Sequence, residues 1–167
     1  MKLFFISDIH GSITDLEYAL SKYAESSSDY LVILGDILNH GPRNPLPENY
    51  NPQKVAATLN KYANNIICIR GNCDSEVDQM LLSFPILSDF SQILLDNHYF
   101  FLTHGHIFTN EKLNFLYLVK SNVKKLELKA GNWLIHSYTV NVVFFRMSMN
   151  SFGGLLMVWG ITTLHER

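Results

Sequence analysis

Four short apolar runs constrain this chain more than any other feature, because each stops at residues carrying oxygen or nitrogen donors. Leu3-Phe4-Phe5-Ile6 delivers Ser7-Asp8-Ile9-His10-Gly11, and Leu31-Val32-Ile33-Leu34 ends in Gly35-Asp36. Ile66-Ile67-Cys68-Ile69 ends in Arg70-Gly71-Asn72-Cys73-Asp74, and Tyr99-Phe100-Phe101-Leu102 ends in Thr103-His104-Gly105-His106. Runs of this length and content read as strands. In open α/β sheets the ligand crevice lies beyond the carboxyl ends of the strands, so these ends are candidates for one shared site. If the first strand continues through Asp8 and His10, their two-residue spacing sends both side chains to the same face. A carboxylate oxygen and an imidazole nitrogen can then reach one cation.

Taken singly, each residue has an ordinary structural explanation. Asp36 after Gly35 suits a turn, Asn72 after Gly71 suits an Asx-turn, and His104 suits a satisfied polar group near the core. The same property at four successive strand ends makes a common metal site the stronger reading.

With 167 residues, 47% hydrophobic and 17% charged, the chain can bury a substantial core as a single domain spanning 1–167. A net charge of −2 without a basic run gives no sequence-wide attraction to nucleic acid. The two cysteines, Cys68 and Cys73, fall in a buried strand and the loop after it, so no disulfide is expected, in keeping with a reducing cytosol. The N-terminal apolar run leads directly into Ser7-Asp8, which reads as a first strand and not as a signal peptide. No apolar stretch reaches the roughly 18 residues of a membrane span. A cytoplasmic location is therefore expected.

Ser12 is placed to cap a helix whose apolar positions Ile13, Leu16, Ala19, Leu20 and Tyr23 share one face. Ser26-Ser27-Ser28-Asp29 ends it before the second strand, giving a βαβ unit with parallel pairing. Asn39 to Pro52 holds four prolines and four asparagines and forms a long loop just after Asp36. Pro52 opens a further helix carrying Val55, Ala56, Leu59 and Tyr62. A short helix around Ser75 to Leu82 follows the third strand. Ile86-Leu87, Ile93 to Leu95 and Tyr99 to Leu102 suggest a second, largely antiparallel sheet. Glu111 to Leu128 has helical spacing, while Ala130 to Arg167 is β-branched and aromatic without a coherent alternation. The whole predicts an α/β protein with a two-layered β-sandwich core of mixed sheets flanked by helices.

The ordered motifs Asp8-Ile9-His10, Gly35-Asp36, Gly71-Asn72-Cys73-Asp74 and Thr103-His104-Gly105-His106 resemble the calcineurin-like metallophosphoesterase superfamily. The stretches Leu31 to Asn44 and Arg70 to Pro85 look like its small bacterial phosphodiesterases of the YfcE type. The resemblance runs from Met1 to about Leu116. It implies a metal-dependent phosphodiesterase acting on a small phosphate diester, with two divalent ions. Such chemistry needs a carboxylate shared by both ions, and Asp36 in the middle motif is the best candidate. Asp8 and His10 would complete one site, and Asn72 and His104 would serve the other. Mn2+ is the first choice, with Ni2+, Fe or Zn2+ also suited to mixed nitrogen and oxygen ligation without a thiolate. Cys73 stands where many relatives carry a His that contacts the substrate, so Asp36, Asn72 and Cys73 are the catalytic candidates, and a buried structural thiol is the competing role for Cys73. Asn39, His40 and Arg43 follow Asp36 closely, and Asn39 and Arg43 are candidates for binding the leaving group or a phosphate oxygen.

Beyond Leu116 the resemblance stops. It implies a later Gly-His-x-His pair and an Asn-Pro-Gly-Ser turn, and neither is present; the nearest text, Ile135-His136-Ser137-Tyr138-Thr139, offers His136 alone. A frameshift near codons 117 to 135 would account for both halves. Asn150-Ser151-Phe152-Gly153-Gly154-Leu155 is encodable by bases that give Ile-Pro-x-Gly-Gly-Tyr one nucleotide later, close to a late segment of the family. The expected consequences are weaker ion binding, an exposed sheet edge and impaired turnover. A noncatalytic or inactivated protein on the same fold, serving as a scaffold or a frameshifted remnant, is the alternative. Homo-oligomerisation is left open.

Overall fold

The computed structural model describes residues 2–42, 44–95 and 98–107, together with the strand backbone of 126–130, 133–137, 141–144 and 159–161. Two compact units emerge, one comprising 1–88 with 149–167 and the other 89–148.

The first unit is built on strands β1 (Leu3–Ile6), β2 (Tyr30–Ile33) and β3 (Ile66–Cys68), with β9 (Trp159–Ile161) at the far edge, in the order β3-β2-β1-β9. β1 and β2 pair in parallel, with Phe5 opposite Val32, and β2 pairs in parallel with β3. Leu31, Val32 and Ile33 are all buried, as expected for a central parallel strand covered on both faces. β9 pairs antiparallel along the outer edge of β1, with Phe4 opposite Gly160. A short β-branched and aromatic stretch suffices for such pairing even where alternation is poor.

Helix α1 (Ile13–Ser26) links β1 to β2. The Ser12 hydroxyl accepts the Asp15 amide proton and donates to the Asp15 carboxylate, which fixes the first turn. Ile13, Leu16, Ala19 and Leu20 are buried on one face, and each of the larger three contributes about 1.5–3 kcal/mol of apolar burial. The chain leaves the helix through Ser27 in the left-handed conformation. Asn51 caps helix α2 (Pro52–Leu59), whose Pro sits in the first turn where its missing amide proton costs nothing. Val55, Ala56 and Leu59 join Leu16, Ile33, Ile37 and Leu38 in one core cluster. A 3-10 segment (Asn60–Asn65) leads into β3, and the short helix α3 (Glu76–Gln79) follows it.

The second unit holds β4 (Ser91–Leu95), β5 (His98–Thr103) and β8 (Asn141–Phe144) in one mixed sheet, antiparallel between β4 and β5 and parallel between β5 and β8. β6 (Leu126–Ala130) and β7 (Trp133–Ser137) form a separate antiparallel pair. Two expectations change. Ile86-Leu87 forms no strand; Ile86 is buried in the first unit's core, with its amide held by the Gln79 side chain. Leu126 to Leu128 is strand and not the end of a helix, and the rest of that expected helix lies outside the described residues.

Candidate functional site

β1 stops at Ile6, so Asp8 and His10 do not converge by strand alternation. Both take left-handed backbone, at φ 58° and 48°, and Asp36 does the same at φ 57°. Left-handed turns are uncommon outside glycine, though Asp and His are among the residues found there. Backbone hydrogen bonds hold them: the Asp8 amide donates to the Gly35 carbonyl at 3.1 Å, His10 to Asp36 at 2.9 Å, and Gly11 to Ile37 at 2.9 Å. The two loops that leave β1 and β2 are thereby laced together, and the side chains turn toward one another.

Their tips meet around His10. Its Nε2 lies 3.4 Å from Asp8 Oδ1 and 3.7 Å from Asp36 Oδ2. Nδ1 donates to the Asn39 carbonyl at 2.7 Å, which selects the tautomer that leaves the Nε2 lone pair facing the carboxylates. Cys73 Sγ belongs to the same cluster: the donor atoms of His10, Asp36 and Cys73 all lie within 4.8 Å of one another.

The third loop is locked to the second by two glycines and one carboxylate. A Cβ at Gly35, whose φ is +91°, would strike the Gly71 backbone, and one at Gly71 would fall on Asp36 Oδ1. Only bare backbone permits this approach. Asp74, buried, accepts three amide protons across the junction: from Asp36 and Gly71 at 2.7 Å and from Ile37 at 2.8 Å. Asp36 Oδ1 in turn accepts the Cys73 amide at 2.8 Å.

The electrostatics follow from this crowding. Burial pulls the His10 pKa down, but its hydrogen bonds to Asp8 and to the Asn39 carbonyl, with the charges of Asp36 and Asp8, outweigh that and leave it above the usual 6.5. A neutral Nε2 lone pair aimed at two carboxylates is repulsive unless a positive charge sits between them. A divalent cation among these three donors would supply that charge, so the residues fit a metal ion. Burial, then the neighbouring Asp36 charge, pushes the Cys73 thiol up to about 12. It is thus a neutral group at pH 7. Burial also raises the Asp74 carboxyl, against the three amide protons that favour its ionised form.

Other expected residues fall as follows. Asn72 is exposed at the turn, its amide donating to Cys73 Sγ at 3.1 Å. The Asn39 side-chain nitrogen donates to Asp78 at 2.9 and 3.1 Å and to the Cys73 carbonyl at 3.2 Å. The His40 ring sits edge-on to Tyr50 at 5.3 Å. His104 belongs to the second unit, just past β5, with its ring 5.3 Å from His106. Arg43 and the side chain of His136, which lies in β7, are outside the described residues. Both cysteines are free.

Asp74 and Asp78 escaped the sequence reading. Asp78 had a visible signal, since Ser75-Glu76-Val77-Asp78 has the spacing of a capping box. Asp74 had only its place after a Gly-Asn turn.

The fold that carries this sheet-end assembly is that of a metallophosphoesterase, and the chain belongs to the calcineurin-like phosphoesterase family, whose profile matches residues 1–153. Phosphodiesterase YfcE of Escherichia coli strain K12 is 59% identical over 113 residues, which cover 68% of this chain and 61% of that protein. The solved structure of Yfce, a phosphoesterase from E. coli, superposes with a TM-score of 0.65 at 58% identity, covering 66% of this chain and 61% of that one. An archaeal phosphodiesterase shares the fold at 18% identity, with a TM-score of 0.54 over 86% of this chain and 82% of its own. The chain thus spans about three-fifths of the length of the curated relatives it matches. No helix among the described residues is long and apolar enough to cross a membrane.

Proposed function

We propose that this chain is a phosphodiesterase that hydrolyses small phosphate diesters with two divalent cations, Mn2+ first among them and Ni2+, Fe or Zn2+ as substitutes, in the cytoplasm. The observation that carries this reading is the convergence of Asp8, His10 and Asp36, with the His10 Nε2 lone pair turned toward two carboxylates. Asp8 and His10 would hold one ion, Asp36 would be shared, and Asn72 would serve the second; His104 is assigned there from the family motif alone. Cations bound there would set positive charge against the phosphate and acidify water.

The chain's own residues prepare that site. Asp74 and Gly71 fix the Asp36 backbone, so the buried carboxylate keeps its direction without reorganising. The Asn39 carbonyl holds the His10 ring and keeps its proton on Nδ1. Cys73, uncharged at neutral pH, borders the cluster as a weak donor and not as a nucleophile. Arg43, from the Pro-rich loop, would hold a phosphate oxygen. The chain is read as one metallophosphoesterase domain with an atypical segment from 117 onward, and the loss of the Gly-His-x-His pair would weaken ion binding and slow turnover.

The test is hydrolysis of an aryl phosphodiester with added Mn2+, alongside calorimetric Mn2+ titration, for the protein and Asp36→Ala. Expected is Mn2+-dependent turnover and uptake, both lost in the variant. Turnover indifferent to that substitution would overturn the reading.

A further inference from the structure

Asp78 is a carboxylate only 5% exposed, five positions past Cys73 and absent from the ligand set. It is saturated with donors. Both of its oxygens accept from Asn39 Nδ2, at 3.1 and 2.9 Å, and one also accepts the Ser75 amide at 2.8 Å and the Ser75 hydroxyl at 3.0 Å. The Asn39 side chain is gripped further by the Cys73 carbonyl. On the same residue, the backbone carbonyl of Asn39 accepts Nδ1–H of His10 at 2.7 Å. A chain of hydrogen bonds therefore runs from α3 through Asn39 to the imidazole.

We infer that Asp78 is a positioning residue: through Asn39 it holds the carbonyl that fixes the His10 ring and its tautomer, keeping Nε2 bare and aimed at Asp8 and Asp36. This rests on the reading of His10 as a metal ligand. A carboxylate suits the position because every partner is a donor, and an amide there would set its own N–H group against Asn39 or Ser75. Outer partners of ligating histidines set ring orientation and basicity in this way, and losing one typically costs about 10–100-fold in metal affinity.

The competing role for Asp78 is purely local, since Ser75 and Asp78 form the capping box of α3. Three substitutions separate the two. Asn39→Ala removes the clamp but leaves the capping box and the 39 carbonyl in the chain. Ser75→Ala removes the cap hydroxyl but leaves the Asn39–Asp78 pair. Asp78→Ala removes both. Two measurements are made on each full-length protein: calorimetric Mn2+ affinity, and the imidazole 15N spectrum of His10 in EDTA at pH 9, which reports the tautomer without any metal.

Expected is a single Nδ1–H tautomer in the parent, and mixed tautomers with Mn2+ binding about tenfold weaker or worse in Asn39→Ala and Asp78→Ala. Combining the two should weaken binding no further, because both act through one clamp. Ser75→Ala should lower thermal stability while leaving tautomer and Mn2+ affinity unchanged. Parent-like tautomer and affinity in Asn39→Ala would overturn the inference, as would equal effects from Ser75→Ala. Should Asp78→Ala fail to fold, Asn39→Ala still decides. Should the parent take up no Mn2+, the metal reading falls while the 15N spectra still judge the clamp.

Discussion

Removing the Asp74 carboxylate should unlock the junction between the second and third strand-end loops, and the size of the effect can be worked from its three bonds. Two amide protons, from Asp36 and Gly71, meet Oδ2 at 2.7 Å, and that of Ile37 meets Oδ1 at 2.8 Å. Bonds to a charged acceptor contribute about 1.5–3 kcal/mol each, and the burial cost of the carboxylate vanishes with it, so the net loss in Asp74→Ala is about 3–5 kcal/mol. Asp74→Asn is the informative partner. Its amide oxygen placed at Oδ2 keeps two bonds and turns an N–H group against Ile37, for a loss of about 1–3 kcal/mol. For a chain of this length each kcal/mol shifts the midpoint by about 2–4 °C. Urea and thermal unfolding would read both, with the linear slope checked for constancy. An Asn variant no better than Ala, or an Ala variant within about 0.5 kcal/mol of the parent, would refute the view that these three bonds hold the loops together.

Two further outcomes follow from the local electrostatics. His10 sits above its ordinary value in the folded protein, so the native state binds the extra proton, and the stability this gives is complete below the unfolded value of 6.5 and lost as pH rises through the folded one. In EDTA the protein should therefore weaken as pH climbs above 6.5, His10→Gln should flatten that slope, and a His10→Gln profile as steep as the parent's would contradict the assignment. With its pKa pushed up to about 12, Cys73 has a thiolate fraction of roughly 10⁻⁴ at pH 8. Iodoacetamide should label it about a thousandfold more slowly than a free cysteine in EDTA at that pH, and labelling at the free rate in peptide mapping would contradict its burial beside the Asp36 carboxylate.

Much of the first unit could be read from local chemistry. The Ser12 cap, the Pro52 start and the helical spacing of α1 and α2 act within a few residues, and the parallel order of β1, β2 and β3 follows from the helices between them. The donors Asp8, His10 and Asp36 were also legible, but the reason they meet was not. Strand alternation gave the right neighbours by the wrong route, since the convergence is made by left-handed turns laced through backbone bonds to residues 35–37. What depends on distant pairing stayed hidden. The Asn39–Asp78 pair spans 39 positions, and Asp74 gave no sign that it gathers amides from two loops. Ile86 has the composition of a strand residue, yet a single Gln79 bond and core burial decide its place. The pairing of β9 with β1 joins residues over 150 positions apart, beyond any window of periodicity.

The left-handed backbone at Asp8, His10 and Asp36 also restricts what these positions can become. A residue there must tolerate positive φ and carry its donor on a short arm, and Asp, Asn and His are nearly alone in meeting both demands. Thr or Val at any of the three would oppose the turn before ligation is considered. Substitution by drift is thus channelled between carboxylate, amide and imidazole, so the main chain itself narrows the repertoire of donors that this centre can sample.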